Sequence, residues 1–264
     1  MQRDVSSRIV LDITEPADLV FAIAVSSDYG PEEIFTASLD GAPVDTHSVL
    51  DAHGTRLHRM LSGVGRLEVM YTARIPGTGI AASATEADLL VYTRPSRYAE
   101  SDALAPTAGA EFAGITDAAE LLGAVSSWVG TRLRYVTGSS LPTDGATRTL
   151  LARQGVCRDY AHLCVALLRG LGIPARMAAV YAPGLYPMDF HAVAEAWIDG
   201  AWRAVDATTL APRSSLVRIA TGRDAADTAF LNVMSGRADL LEVTVTAIVD
   251  ALPDDDIMEL VSIT

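Results

Sequence analysis

The chain has 264 residues, 50% of them apolar, and a formal net charge of −13. That is ample for a buried core, while the acidic balance argues against nucleic acid and anionic membrane surfaces, both of which attract a basic footprint. No apolar run approaches the roughly 18–20 residues that span a bilayer. The opening MQRDVSSRIVLDIT also lacks the basic-then-apolar profile of a secretory signal. A soluble cytoplasmic protein is therefore expected.

Strands are predicted for RIVLDIT, DLVFAIAVS, EEIFTASLDG, GRLEVMYTARI and ADLLVYT, short apolar or alternating runs separated by Gly, Pro, Asp and Ser. This spacing predicts a β-rich, sandwich-like N-terminal domain over residues 1–100. Residues 94–112, of mixed polarity, read as a connector. From Ile115 the period becomes helical, with Thr116 or Asp117 as N-cap. A loop, VTGSSLPTDG, then leads to a short helix, ATRTLLARQ.

The next helix, in RQGVCRDYAHLCVALLRGLGIPAR, begins near Cys157 and stops at GLGIP, where Gly170 and Gly172 can cap it and Pro174 forbids continuation. ARMAAVYA follows as a strand, and HAVAEAWIDGAWRAVDAT as a hairpin. The C-terminal third is less legible, although LLEVTVTAIVD alternates like a strand. Together these predict an α+β domain over residues 101–264.

Cys157 stands at the mouth of its helix, where unpaired backbone N–H groups and the macrodipole favour an anion. The same N–H groups suit an oxyanion formed by attack on a carbonyl. Gly155 allows a sharp turn into the helix and leaves room for substrate. Cys164, flanked by Leu163 and Val165, reads as core filler. The two cysteines would lie roughly 10 Å apart at 1.5 Å per residue, too far for a disulfide, and they lack zinc-ligand spacing. The chain contains no lysine, so it cannot serve as its own lysine acyl acceptor.

A nucleophilic thiol needs a base. His47, His53 and His58 fall in the predicted β domain as surface or loop residues. His162 is about 140° around the helix from Cys157, and pairing with Asp159 suits it better. His191 remains. It opens a period-two run with Val193, Glu195 and Trp197 on one face. The Asp199-Gly200 turn signal sets Trp197 opposite Trp202 and makes Asp206 a diagonal, same-face neighbour of His191. A carboxylate there would fix the imidazole tautomer. The expected triad is Cys157, His191 and Asp206.

GVCRDYAHLCVALLRGLGIPARMAAVY, DFHAVAEAWIDGAWRAVDAT and GRDAADTAF resemble the transglutaminase-like superfamily, particularly its bacterial branch of candidate cysteine proteases. The resemblance implies a papain-like α+β core behind an N-terminal antiparallel β domain, with acyl transfer through a thioester and no cofactor or obligatory metal. Val193 and Ala207 depart from the family pattern at positions bearing on packing and substrate fit. As in related papain-like enzymes, a side-chain amide before the cysteine, here Gln154, is a candidate oxyanion donor, with Tyr160 an alternative.

Arg158, Tyr181 and Tyr186 are candidate substrate contacts, each with a plain structural alternative: a surface ion pair for Arg158, an ordinary connector for the tyrosines. The expected activity is hydrolysis of a peptide or related amide. Transfer to an amine, or a silent binding module of the same fold, are the alternatives. Calcium is not suggested, since no acidic cluster resembles a loop for it.

Overall fold

The computed structural model describes residues 1–264. Its first sheet is antiparallel and built around one 20-residue strand, β1 (Gln2–Phe21). The sequence-predicted strands RIVLDIT and DLVFAIAVS both start within it. The remaining early strands are β2 (Glu32–Leu39), β3 (Ala42–Pro43), β4 (His47–Leu50), β5 (Arg56–Ser62) and β6 (Gly65–Pro76). β6 pairs with the first half of β1, from Gln2↔Pro76 to Ile13↔Gly65, whereas β5 pairs with its second half, from Ala17↔Ser62 to Phe21↔His58. Alternating Val5, Ile9, Leu11, Ile13, Leu19 and Phe21 point into one core, the period-two pattern of a half-buried sheet.

Helices α1 (Glu86–Val91), α2 (Ser101–Glu111) and α3 (Ala118–Arg132) follow. Two expectations fail here. ADLLVYT is helical, because Thr85 and Asp88 form a reciprocal capping box in which Asp88 N–H donates to Thr85 Oγ1 and Thr85 N–H to Asp88 Oδ2. Part of the supposed connector, 94–112, is α2, which buries Leu104 and Ala108. The Asp117 cap of α3 forms as expected, accepting from Glu120 N–H at 2.8 Å.

The chain continues through β7 (Arg134–Tyr135), α4 (Ala146–Ala152), β8 (Gln154–Gly155) and α5 (Cys157–Gly170). Next come β9 (Ala175–Tyr181), β10 (Phe190–Ile198), β11 (Ala201–Val205), β12 (Val217–Gly222), α6 (Ala225–Thr228) and β13 (Leu231–Val249). The second sheet has the order β11-β10-β9-β12 and is antiparallel throughout. α5 packs on this sheet and is wrapped by α2, α3 and α4, with Leu163, Cys164, Leu167 and Leu168 in a shared core.

β13 does not stay with the second unit. It returns to pair with β1 from Arg3↔Val249 to Phe21↔Leu231, so the division expected at residue 100 does not separate the sheets. Register shifts along this ladder bend β1. Gly236, at φ +79°, is required at one of them, because a Cβ there would lie 2.1 Å from the Pro16 carbonyl oxygen. Tyr181, Val217 and Ile219 of the second sheet complete the core of the first, so the units are packed into one body. No helix is long and apolar enough to cross a membrane.

Candidate active site

The site is assembled where α5 begins and where β10 faces it. Residues 154–156 lead in as β8 and an extended N-cap at Val156, and Asp159 Oδ2 accepts the Val156 N–H at 2.8 Å. Arg158 pairs with the same carboxylate. Asp159 therefore serves the start of α5 and makes no hydrogen bond to His162. Gly155 is needed for this packing: a Cβ there would lie 2.6 Å from Asp159 Cβ. The space is occupied by Asp159 and not reserved for substrate. Cys157 follows at the first helical position, partly exposed, its thiol 4.0 Å from the Phe190 carbonyl oxygen.

β10 and β11 form the hairpin that the sequence predicts. Asp199 and Gly200 both have positive φ, and Trp197 lies opposite Trp202 with ring centroids 5.3 Å apart. His191, on β10, contacts Asp206, just past β11, with Nε2 2.8 Å from Oδ2. An ionised carboxylate only accepts, so Nε2 carries the proton and Nδ1 is the nitrogen left for Cys157. The other oxygen, Asp206 Oδ1, accepts from Thr208 N–H at 2.9 Å and Thr208 Oγ1 at 2.7 Å.

Burial acts to lower the His191 pKa, but the Asp206 carboxylate, aided by Cys157 beside the same ring, outweighs it and holds His191 up to about 10. Burial acts to raise that of Asp206, and His191 with Thr208 reverses the sign. The structure thus pairs His191 with Asp206 and sets Cys157 and His191 in the lining of one cleft.

Cys157 and His191 line a cleft of about 610 Å³, mostly apolar, with Asp189 and Arg158 among its polar groups. Burial raises the Asp189 pKa. Arg158 is in place but engaged: its Nη2 donates to Ser140 Oγ and to the Leu141 carbonyl, both at 2.9 Å, tying that loop to α5.

The other candidates lie elsewhere. Tyr181 is fully buried, its hydroxyl bonded to Ser7 and the Ile23 carbonyl, so it holds the two sheets together and cannot touch substrate. Tyr186 is 90% exposed and outside the cleft lining. Gln154 and Tyr160 do not line it either; Tyr160 is buried against Tyr135, ring centroids 6.0 Å apart.

Tyr135 is the residue that sequence reasoning missed. The two-residue parallel pairing of β7 with β8 sets it opposite Gly155. Its phenol thereby lies beside Cys157, although, like Tyr160, it does not line the cleft. Burial, then the neighbouring Cys157, keeps its pKa above the ordinary tyrosine value, so it remains a proton donor.

Two of the remaining histidines are buried elsewhere. His162 is buried and accepts from Ala225 N–H at 3.1 Å, with burial pushing it down to about 3. His58 is buried on β5, stacked on Phe35 at 4.0 Å, and not a surface residue as expected. Glu195, also on β10, is a structural residue, bonded in the interior to Arg176 and Arg218. Cys164 is fully buried, which raises its thiol pKa. No set of three or more His, Cys, Asp or Glu side chains is gathered as metal ligands would be.

The family profile of the transglutaminase-like superfamily matches residues 106–207, the stretch that carries Cys157, His191 and Asp206. The solved structure of a candidate cysteine protease from Cytophaga hutchinsonii is 30% identical, with TM-score 0.85 over 97% of this chain and 92% of that one. The chain belongs to the transglutaminase-like superfamily. Its α+β core and N-terminal antiparallel sheet are the fold expected from the sequence.

Among curated relatives of this superfamily member, a Mycobacterium leprae protein is 27% identical over 156 residues, 54% of this chain and 55% of that protein. A Mycobacterium tuberculosis protein is 35% identical over 89 residues, 34% of this chain and 27% of that protein. The chain thus matches about half the length of the first and about a quarter of the second.

Proposed function

We propose that this protein is a cysteine hydrolase acting on a peptide or related amide through a Cys157–His191–Asp206 triad. Cys157 Sγ attacks the carbonyl carbon with the thiol proton already held on His191 Nδ1. The tetrahedral oxyanion is held by the Cys157 N–H at the first turn of α5 and by the Tyr135 hydroxyl. As the C–N bond breaks, the imidazolium returns its proton to the leaving nitrogen, and a thioester remains on Cys157. Water, deprotonated by His191, attacks the thioester. The C–S bond breaks, the acid leaves, and the proton remains on His191. Asp206 keeps Nε2–H engaged and supports the imidazolium throughout.

One observation carries this reading: a single buried imidazole, held 2.8 Å from a carboxylate, lines the same cleft as a partly exposed thiol at a helix N-terminus. The likeness to the C. hutchinsonii protein supports it.

The experiment is amine release from a pool of blocked peptide anilides, without added amine acceptor. Wild type should release amine and free acid, while Cys157→Ala and His191→Ala should release neither. Release unchanged in Cys157→Ala would refute the mechanism. Turnover that appears only with an added amine would replace hydrolysis by transfer.

A further inference from the structure

The cleft beside Cys157 is not built by the second unit alone. It is lined by Met177, Ala179 and Ala192 of β9 and β10 and by Ala22, Phe230 and Leu231 from the ends of β1 and β13. Ala22 N–H donates to the Phe230 carbonyl at 3.0 Å. The Phe230 ring stacks on Phe190, 5.2 Å between centroids, and Phe190 directly precedes His191. The first sheet therefore forms an apolar wall next to the reacting atoms.

The cleft also does not end there. A second cavity of about 660 Å³ lies alongside, lined by His53, Tyr92, Asp51 and Asp88 among others. Ala226 and Asn232 line both, so the cavities adjoin at these residues.

This junction is firmly held. Buried Asp224 accepts from Ala226 N–H at 2.9 Å and from Tyr98 N–H at 2.8 Å, and His162 on α5 accepts from Ala225 N–H. Asn232 is fixed by its pairing with Val20 in the β1–β13 ladder. A cavity of about 300–1,000 Å³ suffices for a drug-sized ligand, so the first cavity alone accommodates more than one residue, and the pair accommodates a longer chain.

We infer that the acyl donor is an extended polypeptide that places an apolar side chain against Phe230 and Leu231 and crosses Ala226 and Asn232 into the second cavity. The inference rests on Cys157 as nucleophile for its chemistry, but it makes a separate claim about binding. The N-terminal sheet then has a function: it supplies half of the substrate site. Small amides would use only the first cavity.

The test uses the full chain with Cys157→Ala and fluorescence anisotropy. The probes are fluorescein-labelled leucinamide and a fluorescein-labelled octapeptide mixture with leucine fixed at the fourth position and the rest randomised. The octapeptides should bind at least tenfold more tightly than leucinamide, and at least tenfold more tightly than the same mixture with aspartate fixed instead. Ala52→Trp, at an exposed position that lines the second cavity and not the first, should bring octapeptide affinity down to the leucinamide level while leaving leucinamide unchanged. Met234→Trp, likewise exposed and lining only the second cavity, should do the same.

Equal affinity for both lengths, or equal weakening of both probes by the tryptophan variants, would overturn the extended groove. Failure of the nucleophile reading shows separately, as unimpaired amine release in the Cys157→Ala chain. Iodoacetamide labelling of Cys157 at the wild-type rate in Ala52→Trp and Met234→Trp, each made with Cys157 in place, would confirm that the variants leave the thiol site intact.

Discussion

Asp206→Asn tests the charge relation at the centre of the site. Asp206 serves two sets of donors with two oxygens: His191 Nε2–H on Oδ2, and the N–H and hydroxyl of Thr208 on Oδ1. Asparagine has one oxygen and one NH2 group. The Thr208 backbone N–H cannot reverse its polarity, so the oxygen should turn toward it and the NH2 toward His191. Nε2 must then accept, which places the remaining imidazole proton on Nδ1, facing Cys157, where a base is needed.

The lost attraction can be sized. Two unit charges about 4 Å apart at an effective dielectric constant of about 20 attract by about 4 kcal/mol, or about three pKa units at 1.36 kcal/mol each. His191, held up to about 10 in the wild type, should titrate about three units lower in the variant. If the same interaction supports the imidazolium in the transition state, kcat/KM should fall about 1,000-fold. The assays are an NMR titration of 15N-labelled histidine and amine release from the best anilide. An unchanged His191 midpoint, or a rate loss below tenfold, would refute the reasoning.

Tyr135→Phe removes one proposed oxyanion donor and should lower kcat about 100-fold with little change in KM, by the usual cost of such a donor; an unaltered kcat would dismiss the role. Glu195→Gln leaves Arg176 and Arg218 buried without their carboxylate. Urea unfolding should show a loss of about 3–5 kcal/mol, the range for breaking a buried ion pair, and a loss under about 1 kcal/mol would contradict it. Stability should also peak near the ordinary histidine pKa of about 6.5. His191, held up to about 10, contributes fully below that pH and loses its contribution as pH rises through about 10. His58 and His162, pushed by burial down to about 4 and about 3, resist protons that the unfolded chain accepts, so stability falls on acidification below about 6.5. A urea midpoint flat from pH 5 to 9 would contradict both limbs.

The parts of the site that were legible in the sequence are those with local causes. Asp199-Gly200 sets the hairpin register, and the register carries His191 to Asp206. The start of α5 follows from the glycine before it and the apolar helix after it. Tyr135 was not legible, since its contact with Cys157 depends on a two-residue parallel pairing of β7 with β8 that no periodicity announces. Tyr181 was misread because its loop-proximal position hid a core role, settled by Ser7 and Ile23 from 158 or more residues away in the chain. The same holds for β13: its alternation reads as a strand, but only the tertiary fold decides that it joins β1. ADLLVYT failed for a local reason, a capping box overriding a β-like composition.

The central claim, that Cys157 carries the acyl group, is tested most directly by acid-quenching the protein during turnover of a peptide anilide and measuring the mass of each cysteine peptide. The account predicts an adduct of the acyl mass on Cys157, absent in His191→Ala and removed by hydroxylamine, with Cys164 unmodified. Turnover with no adduct on Cys157, together with full activity of Cys157→Ala, would contradict it.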